Sequence, residues 1–273
     1  MAQVCHPNLF VAGTQKAGTT FLCTVLANHP LIFFSKPKEL FLFNKTNLDQ
    51  RMYQEYLEKY FPESKVAHSH LYLAEGSTSY FQSNVATNNM MKFLPAGFKI
   101  IVVLRHPVEK ALSYFMHMHQ RDRFDATRSI LDPAIVRTSL YAKHVRRWLN
   151  LLGPDRLLVL KYDTLEESPR TFADAATRFL QLPPVAEVPS SRINAGFGMV
   201  RREDHVEPRI ETPNATHREV PRFSIADLVR LQSMFTDDLR RTQTITGLDL
   251  ARWFELPDFA SDEERGRAAW GSR

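Results

Sequence analysis

At 273 residues, 44% hydrophobic and 24% charged, with 19 phenylalanines, the chain can bury a full core; intrinsic disorder is excluded and one large domain is expected. Lys and Arg outnumber Asp and Glu by 35 to 30, a surplus that fits an anionic small ligand, and the pairs Arg146-Arg147, Arg201-Arg202 and Arg240-Arg241 are scattered without interleaved aromatics, against nucleic acid as a partner. Cys5 and Cys23 are too few for a disulfide framework and lie in no zinc pattern, and no run approaches about 18 apolar residues, so a soluble, cytoplasmic protein without membrane anchor is expected; oligomeric state is not readable.

Short apolar runs bounded by turn residues alternate with longer segments whose apolar residues recur at helical spacing. Strands are predicted over 8–13, 31–35, 71–75, 98–104 and 157–161, and helices over 19–28, 49–60, 85–93, 107–119 and 139–152. This alternation predicts an α/β fold, a three-layer sandwich around a parallel sheet, with ligands gathering beyond the carboxyl ends of the strands. Two more helices are predicted over 169–181 and 224–244. The proline-rich connection between them, 183–223, reads as a lid or binding loop, and 261–273 as a solvated tail, which leaves a single domain over 1–260.

The first strand ends in Gly13, and Gly18-Thr19-Thr20 opens the helix behind it. Backbone amides and the helix dipole there favour a phosphate or sulfate; the bland alternative is an ordinary strand-to-helix turn. Gly13 and Gly18 have the glycine spacing of the triphosphate-binding loop, yet Thr19 stands where that motif needs lysine, and the lysine is at Lys16. The strand over 98–104 ends in Arg105, where a triphosphate enzyme would carry a magnesium-binding carboxylate. A cation there argues for a second direct anion contact and against a metal–triphosphate complex, with a solvated or ion-paired arginine as the alternative.

Lys16-Ala17-Gly18-Thr19-Thr20, then Pro37-Lys38-Glu39-Leu40-Phe41-Leu42-Phe43, then Val102-Val103-Leu104-Arg105-His106-Pro107 with Ser113 eight residues after the arginine, resemble the sulfotransferases that use 3′-phosphoadenosine 5′-phosphosulfate (PAPS). The likeness is to the heparan-sulfate type and its bacterial relatives, on a phosphate-loop, nucleotide-kinase-like fold. It extends from about Leu9 to Trp253, through Ser139-Leu140-Tyr141, Trp148, Gly196-Phe197, Arg201 and Gly247-Leu248-Asp249-Leu250. The resemblance implies that Lys16, Ala17, Gly18, Thr19 and Thr20 hold the 5′-phosphosulfate, with Lys16 stabilising charge on the departing phosphate oxygen. It implies Arg105 and Ser113 on the 3′-phosphate, and Gly196, Phe197 and Arg201 closing over the nucleotide. PAPS would be the co-substrate, a hydroxyl the acceptor, and no metal would take part.

A hydroxyl attacking sulfur must lose its proton. Glu39 is the first candidate for the base: it follows the apolar strand over 31–35 on the ligand side and matches the family's glutamate. His70 is the reserve candidate. In the segment Ala74-Glu75-Gly76-Ser77-Thr78-Ser79-Tyr80-Phe81 the family carries a lysine after the glutamate, and this chain has Gly76. Glu75 and Ser77 line the acceptor side or form a buried pair. The other functional readings are a phosphate-loop kinase and a nucleotide-binding relative without catalysis.

Overall fold

The structure is a computed structural model that describes residues 5–189, 198–208 and 220–259. Its elements in chain order are β1 (Leu9–Gly13), α1 (Thr19–Ala27), β2 (Ile32–Phe34), α2 (Gln50–Tyr60), β3 (Tyr72–Gly76), α3 (Asn84–Phe93), β4 (Lys99–Leu104) and α4 (Pro107–Gln120). There follow α5 (Pro133–Val136), α6 (Ala142–Leu152), β5 (Leu157–Lys161), α7 (Tyr162–Glu167), α8 (Pro169–Phe179), β6 (Met199–Arg201), β7 (His205–Pro208), β8 (Phe223–Ser224) and α9 (Ile225–Thr246). The chain clusters into two compact units. The first runs up to Arg105 and resumes at His144; the second takes His106–Lys143 and the described residues from 198 onward.

The first unit is built on a parallel five-stranded sheet in the order β2-β3-β1-β4-β5. All five residues of β1 are buried, and their alternation splits them between two cores. Leu9 and Val11 join Phe21, Leu22 and Val25 of α1, Ile101 and Val103 of β4, and Phe172, Ala173 and Ala176 of α8. Phe10 points the other way, edge-on to Phe43 at 5.8 Å and to Phe98 at 6.0 Å, and Tyr53 and Tyr56 of α2 pack on Phe43 in turn. Each such ring or branched side chain, fully buried, stabilises the fold by about 1.5–3 kcal/mol. Helices therefore cover both faces, the three-layer arrangement expected of an unbroken apolar central strand.

From β1 the chain passes to β2 and β3 on one side and then crosses back to β4 on the other. That reversal makes the carboxyl end of β1 a switch point, and the loop from Gly13 to Gly18 leaves it directly. Three other helix starts in this unit are capped by side chains: Asp49 accepts from the Met52 amide, Ser83 from Ala86 and Ser168 from Thr171, while α7 has no side-chain cap but carries Asp163 in its first turn. The start of α1 has no such cap and no acidic residue in its first turn.

In the second unit, β6, β7 and β8 form an antiparallel sheet, with Met199 opposite Pro208 and Val206 opposite Phe223. β6, β7 and the first residue of β8 lie in the connection over 183–223 expected to be a lid or binding loop, of which 190–197 and 209–219 lie outside the described residues, as does the tail over 261–273. Phe223 packs edge-on against Phe115 of α4 at 5.0 Å. The helix expected over 139–152 begins three residues later, at Ala142, with Arg137–Ser139 in a 3-10 turn. The cause is Asp238 of α9, whose carboxylate accepts from the amides of Tyr141 (2.6 Å) and Ala142 (3.2 Å) and fixes the helix start there. No helix among the described residues is long and apolar enough to cross a membrane.

Candidate active site

The loop after β1 is tied to the sheet at its first residue. Thr14 is buried, and its amide and its hydroxyl both donate to the Val103 carbonyl of β4, each at 2.9 Å. Gly18 then turns the chain into α1 with φ 77°, a left-handed conformation that favours glycine. Space imposes the same choice, because a Cβ at Gly18 would lie 2.8 Å from Leu165 and 2.9 Å from the Tyr162 ring. Lys16, in the middle of the loop, is also left-handed at φ 64°. With neither a side-chain cap nor a carboxylate, the first turn of α1, which carries Thr19 and Thr20, keeps its dipole available to an anion.

Arg105 reaches this loop. Its guanidinium donates to the Lys16 carbonyl at 3.3 Å and lies over the Tyr162 ring, 4.6 Å from the centroid. The contact follows from strand register: Leu104 is opposite Lys161 in the β4–β5 pair, so the next residues along, Arg105 and Tyr162, emerge side by side.

On the other flank of β1, Glu39 is held at the carboxyl end of β3. Its amide donates to the Gly76 carbonyl at 2.8 Å. Its carboxylate accepts from the Thr78 amide (3.0 Å) and the Thr78 hydroxyl (2.8 Å), and pairs with the Lys38 ammonium. About a quarter of each charged side chain remains exposed, 25% for Lys38 and 27% for Glu39, so the pair is open to a ligand.

Gly76 has a physical cause. A Cβ there would meet Cys23 Sγ of α1 at 2.7 Å and Lys38 Cγ at 3.4 Å. The stem of Lys38 passes over the glycine, and its ammonium reaches Glu39. Lys38 thus lies beside Gly76 and pairs with Glu39. Cys23 is buried, and desolvation pushes its thiol up to about 12, against the opposing charge of Lys38.

The structure brings Lys16, Ala17, Gly18, Thr19, Thr20 and Arg105 together, with Glu39 across the adjacent strand. It does not bring His70 to them. His70 precedes the amino end of β3, where its Nδ1 accepts from the Ala67 amide and its ring packs by Phe33, a full strand length from Glu39 at the other end. That placement sets His70, the reserve candidate for the base, apart from the loop and Glu39. Ser113 belongs to the second unit, buried on α4 with its Oγ lacking a hydrogen-bond partner among the described residues. Arg201, also in that unit, is exposed at the end of β6, and Gly196 and Phe197 lie outside the described residues. Glu75 and Ser77, left between two roles by the sequence, are a fully buried hydrogen-bonded pair. Thr14, Thr78 and Tyr162 lie within segments that resemble the family, but nothing local gives them a role of their own; the strand register places Tyr162 beside Arg105.

A family model described as the sulfotransferase domain matches residues 6–197. The bifunctional heparan sulfate N-deacetylase/N-sulfotransferase 3 of Mus musculus is 29% identical over 210 residues, 65% of this chain and 22% of the relative. The Homo sapiens N-deacetylase/N-sulfotransferase 1 is 28% identical over 196 residues, 64% of this chain and 22% of the relative. The chain spans about a fifth of the length of these relatives. Among solved structures, a sulfotransferase from Alicyclobacillus acidocaldarius superposes with a TM-score of 0.67 at 22% identity, over 92% of this chain and 100% of that one. The sulfotransferase domain of the Synechococcus PCC 7002 olefin synthase gives 0.52 at 20% identity, over 92% and 99%. These two likenesses are of fold.

Proposed function

This chain belongs to the sulfotransferase family and is an enzyme that transfers a sulfonate group, and from that premise we propose that PAPS is its donor, a hydroxyl its acceptor and Glu39 its base. The observation that carries the reading is the pairing of two features at the carboxyl ends of adjacent strands. One is an uncapped, carboxylate-free helix start with Lys16 and Arg105 beside it. The other is a carboxylate oriented by Thr78 and Lys38.

The donor fits these residues by charge and by hydrogen-bonding type. The α1 amides, Thr19, Thr20 and Lys16 would hold the 5′-phosphosulfate. Arg105, over the Tyr162 ring, offers a guanidinium whose fork suits the 3′-phosphate. Glu39 removes the acceptor proton as the acceptor oxygen attacks sulfur; the bond from sulfur to the bridging phosphate oxygen breaks, and Lys16 stabilises the charge left on that oxygen. The products are a sulfate ester and adenosine 3′,5′-bisphosphate, with the proton on Glu39. Metal plays no part in this scheme, and the chain works as a cytoplasmic enzyme.

Incubation with PAPS carrying labelled sulfur and a panel of hydroxyl and amine acceptors tests it. Label should pass to a hydroxyl acceptor in the wild type and pass about 100- to 10,000-fold more slowly in Glu39→Gln, which still binds the donor. Transfer to amines alone, the chemistry that the N-sulfotransferase relatives are named for, would replace the acceptor class. Near-normal turnover of Glu39→Gln would remove Glu39 as base.

A further inference from the structure

The segment that carries Glu39 is strained and needs support. Glu39 and Phe41 both have left-handed backbones, φ 68° and 55°, without being glycine. For a residue with a Cβ this conformation is unfavourable and persists only where its surroundings hold it. Two amides of this segment are bonded to side chains of the segment after β3: the Phe41 amide donates to Ser77 Oγ at 3.1 Å, and the Phe43 amide to the Tyr80 hydroxyl at 3.4 Å.

Both of those hydroxyls lead to one carboxylate. Glu75, fully buried in β3, accepts on Oε1 from Ser77 Oγ (2.5 Å) and from the Tyr80 hydroxyl (2.9 Å), and on Oε2 from the Tyr56 hydroxyl (2.5 Å). Burial raises the Glu75 carboxyl above its ordinary value, and the three hydroxyls oppose that shift by donating to its ionised form. The Ser77 and Tyr80 oxygens accept the Phe41 and Phe43 amide protons from outside and turn their own protons inward to Glu75, which as a carboxylate only accepts. Tyr56 is also buried and its hydroxyl donates to the same carboxylate, but among the described residues it bonds to no amide of the 39–43 segment. We propose that Glu75 is a positioning residue for Glu39: through Ser77 and Tyr80 it fixes the polarity of two hydroxyls that clamp the strained backbone carrying the base. The assignment rests on Glu39 being the base.

Amide hydrogen exchange, read with turnover of labelled PAPS on the fastest acceptor of the panel, tests it in Glu75→Gln, Ser77→Ala and Tyr56→Phe. The Phe41 amide should exchange about tenfold faster in the first two, the loss of one hydrogen bond, and at the wild-type rate in Tyr56→Phe. In the first two, kcat should fall about 10- to 100-fold with KM for the donor unchanged. A Phe41 amide as protected in Ser77→Ala as in the wild type overturns the proposal, as does equal loosening in Tyr56→Phe, which would make Glu75 a core group only. If Glu75→Gln does not fold, Ser77→Ala carries the test. An inactive Glu39→Gln beside a fully active Ser77→Ala overturns the positioning role alone, whereas an active Glu39→Gln overturns the base and this assignment with it.

Discussion

Thr78 holds the Glu39 carboxylate with two donors of one residue, its amide at 3.0 Å and its hydroxyl at 2.8 Å, so both carboxylate oxygens are engaged from a single point of the chain. Thr78→Ala keeps the amide and loses the hydroxyl. Turnover should fall about tenfold, less than in Glu39→Gln, with donor affinity unchanged, since one neutral hydrogen bond to a charged group is worth about 1.5 kcal/mol or more. Steady-state kinetics with Thr78→Ser as the rescue variant checks this: recovery in Thr78→Ser identifies the hydroxyl, and failure to recover assigns the effect to packing.

Arg105→Ala should weaken binding of adenosine 3′,5′-bisphosphate by about 10- to 100-fold and leave binding of adenosine 5′-monophosphate nearly unaltered, the signature of a lost contact to the 3′-phosphate. Calorimetric titration of both nucleotides reads the difference. Equal weakening of the two would move Arg105 to the 5′ side, beside the Lys16 carbonyl that it touches.

Gly76 and Cys23 are coupled by the 2.7 Å separation that a Cβ at position 76 would have from Cys23 Sγ. Gly76→Ala alone should destabilise the protein by about 1–3 kcal/mol through overpacking. In a Cys23→Ala background the same change should cost markedly less, giving a coupling energy on the order of 1 kcal/mol. Urea unfolding of the four proteins measures it, and additive effects would refute the steric account.

Lys110 of α4 is buried, donates to the Thr138 carbonyl, and is lowered by desolvation to about 7. Unfolded, a lysine keeps its proton up to about pH 10.4. Between pH 7 and 10 the unfolded state therefore holds more protons, and stability rises with pH. Below pH 7 the cost of burying the ammonium, on the order of 4 kcal/mol, is present in full; above pH 10 it is gone. Lys110→Met should be more stable than the wild type at pH 6–7, and the advantage should shrink steadily toward pH 10. Urea midpoints across that range test the slope, and a constant difference would show that Lys110 keeps its charge relations on unfolding.

β1 and β4 stand where their apolar runs place them, because a strand buried on both faces writes its position in sequence without needing alternation; the shorter or half-buried β2, β3 and β5 are bounded by turn residues instead. The loop and Arg105 were legible for a similar reason: glycine, lysine and a strand-end arginine each carry a local signal. β6, β7 and β8 were not, being two to four residues long and too short for any period. Thr78 was hidden because its partner lies 39 residues away, and nothing local distinguishes a threonine that clamps a carboxylate from one in a turn. The same holds for Glu75, whose hydroxyl partners come from α2 and from the residues after β3.

Asp238 joins a helix start at Tyr141 and Ala142 to a residue 96 or 97 positions further along. On the ribosome that gap becomes a delay. The last strand of the parallel sheet, Leu157–Lys161, is made well before Asp238 exists, so α6 must wait through the synthesis of α8 and most of α9 for the group that fixes its first turn. A chain that stops short of Asp238 would carry every strand of that sheet and still leave α6 with a frayed beginning.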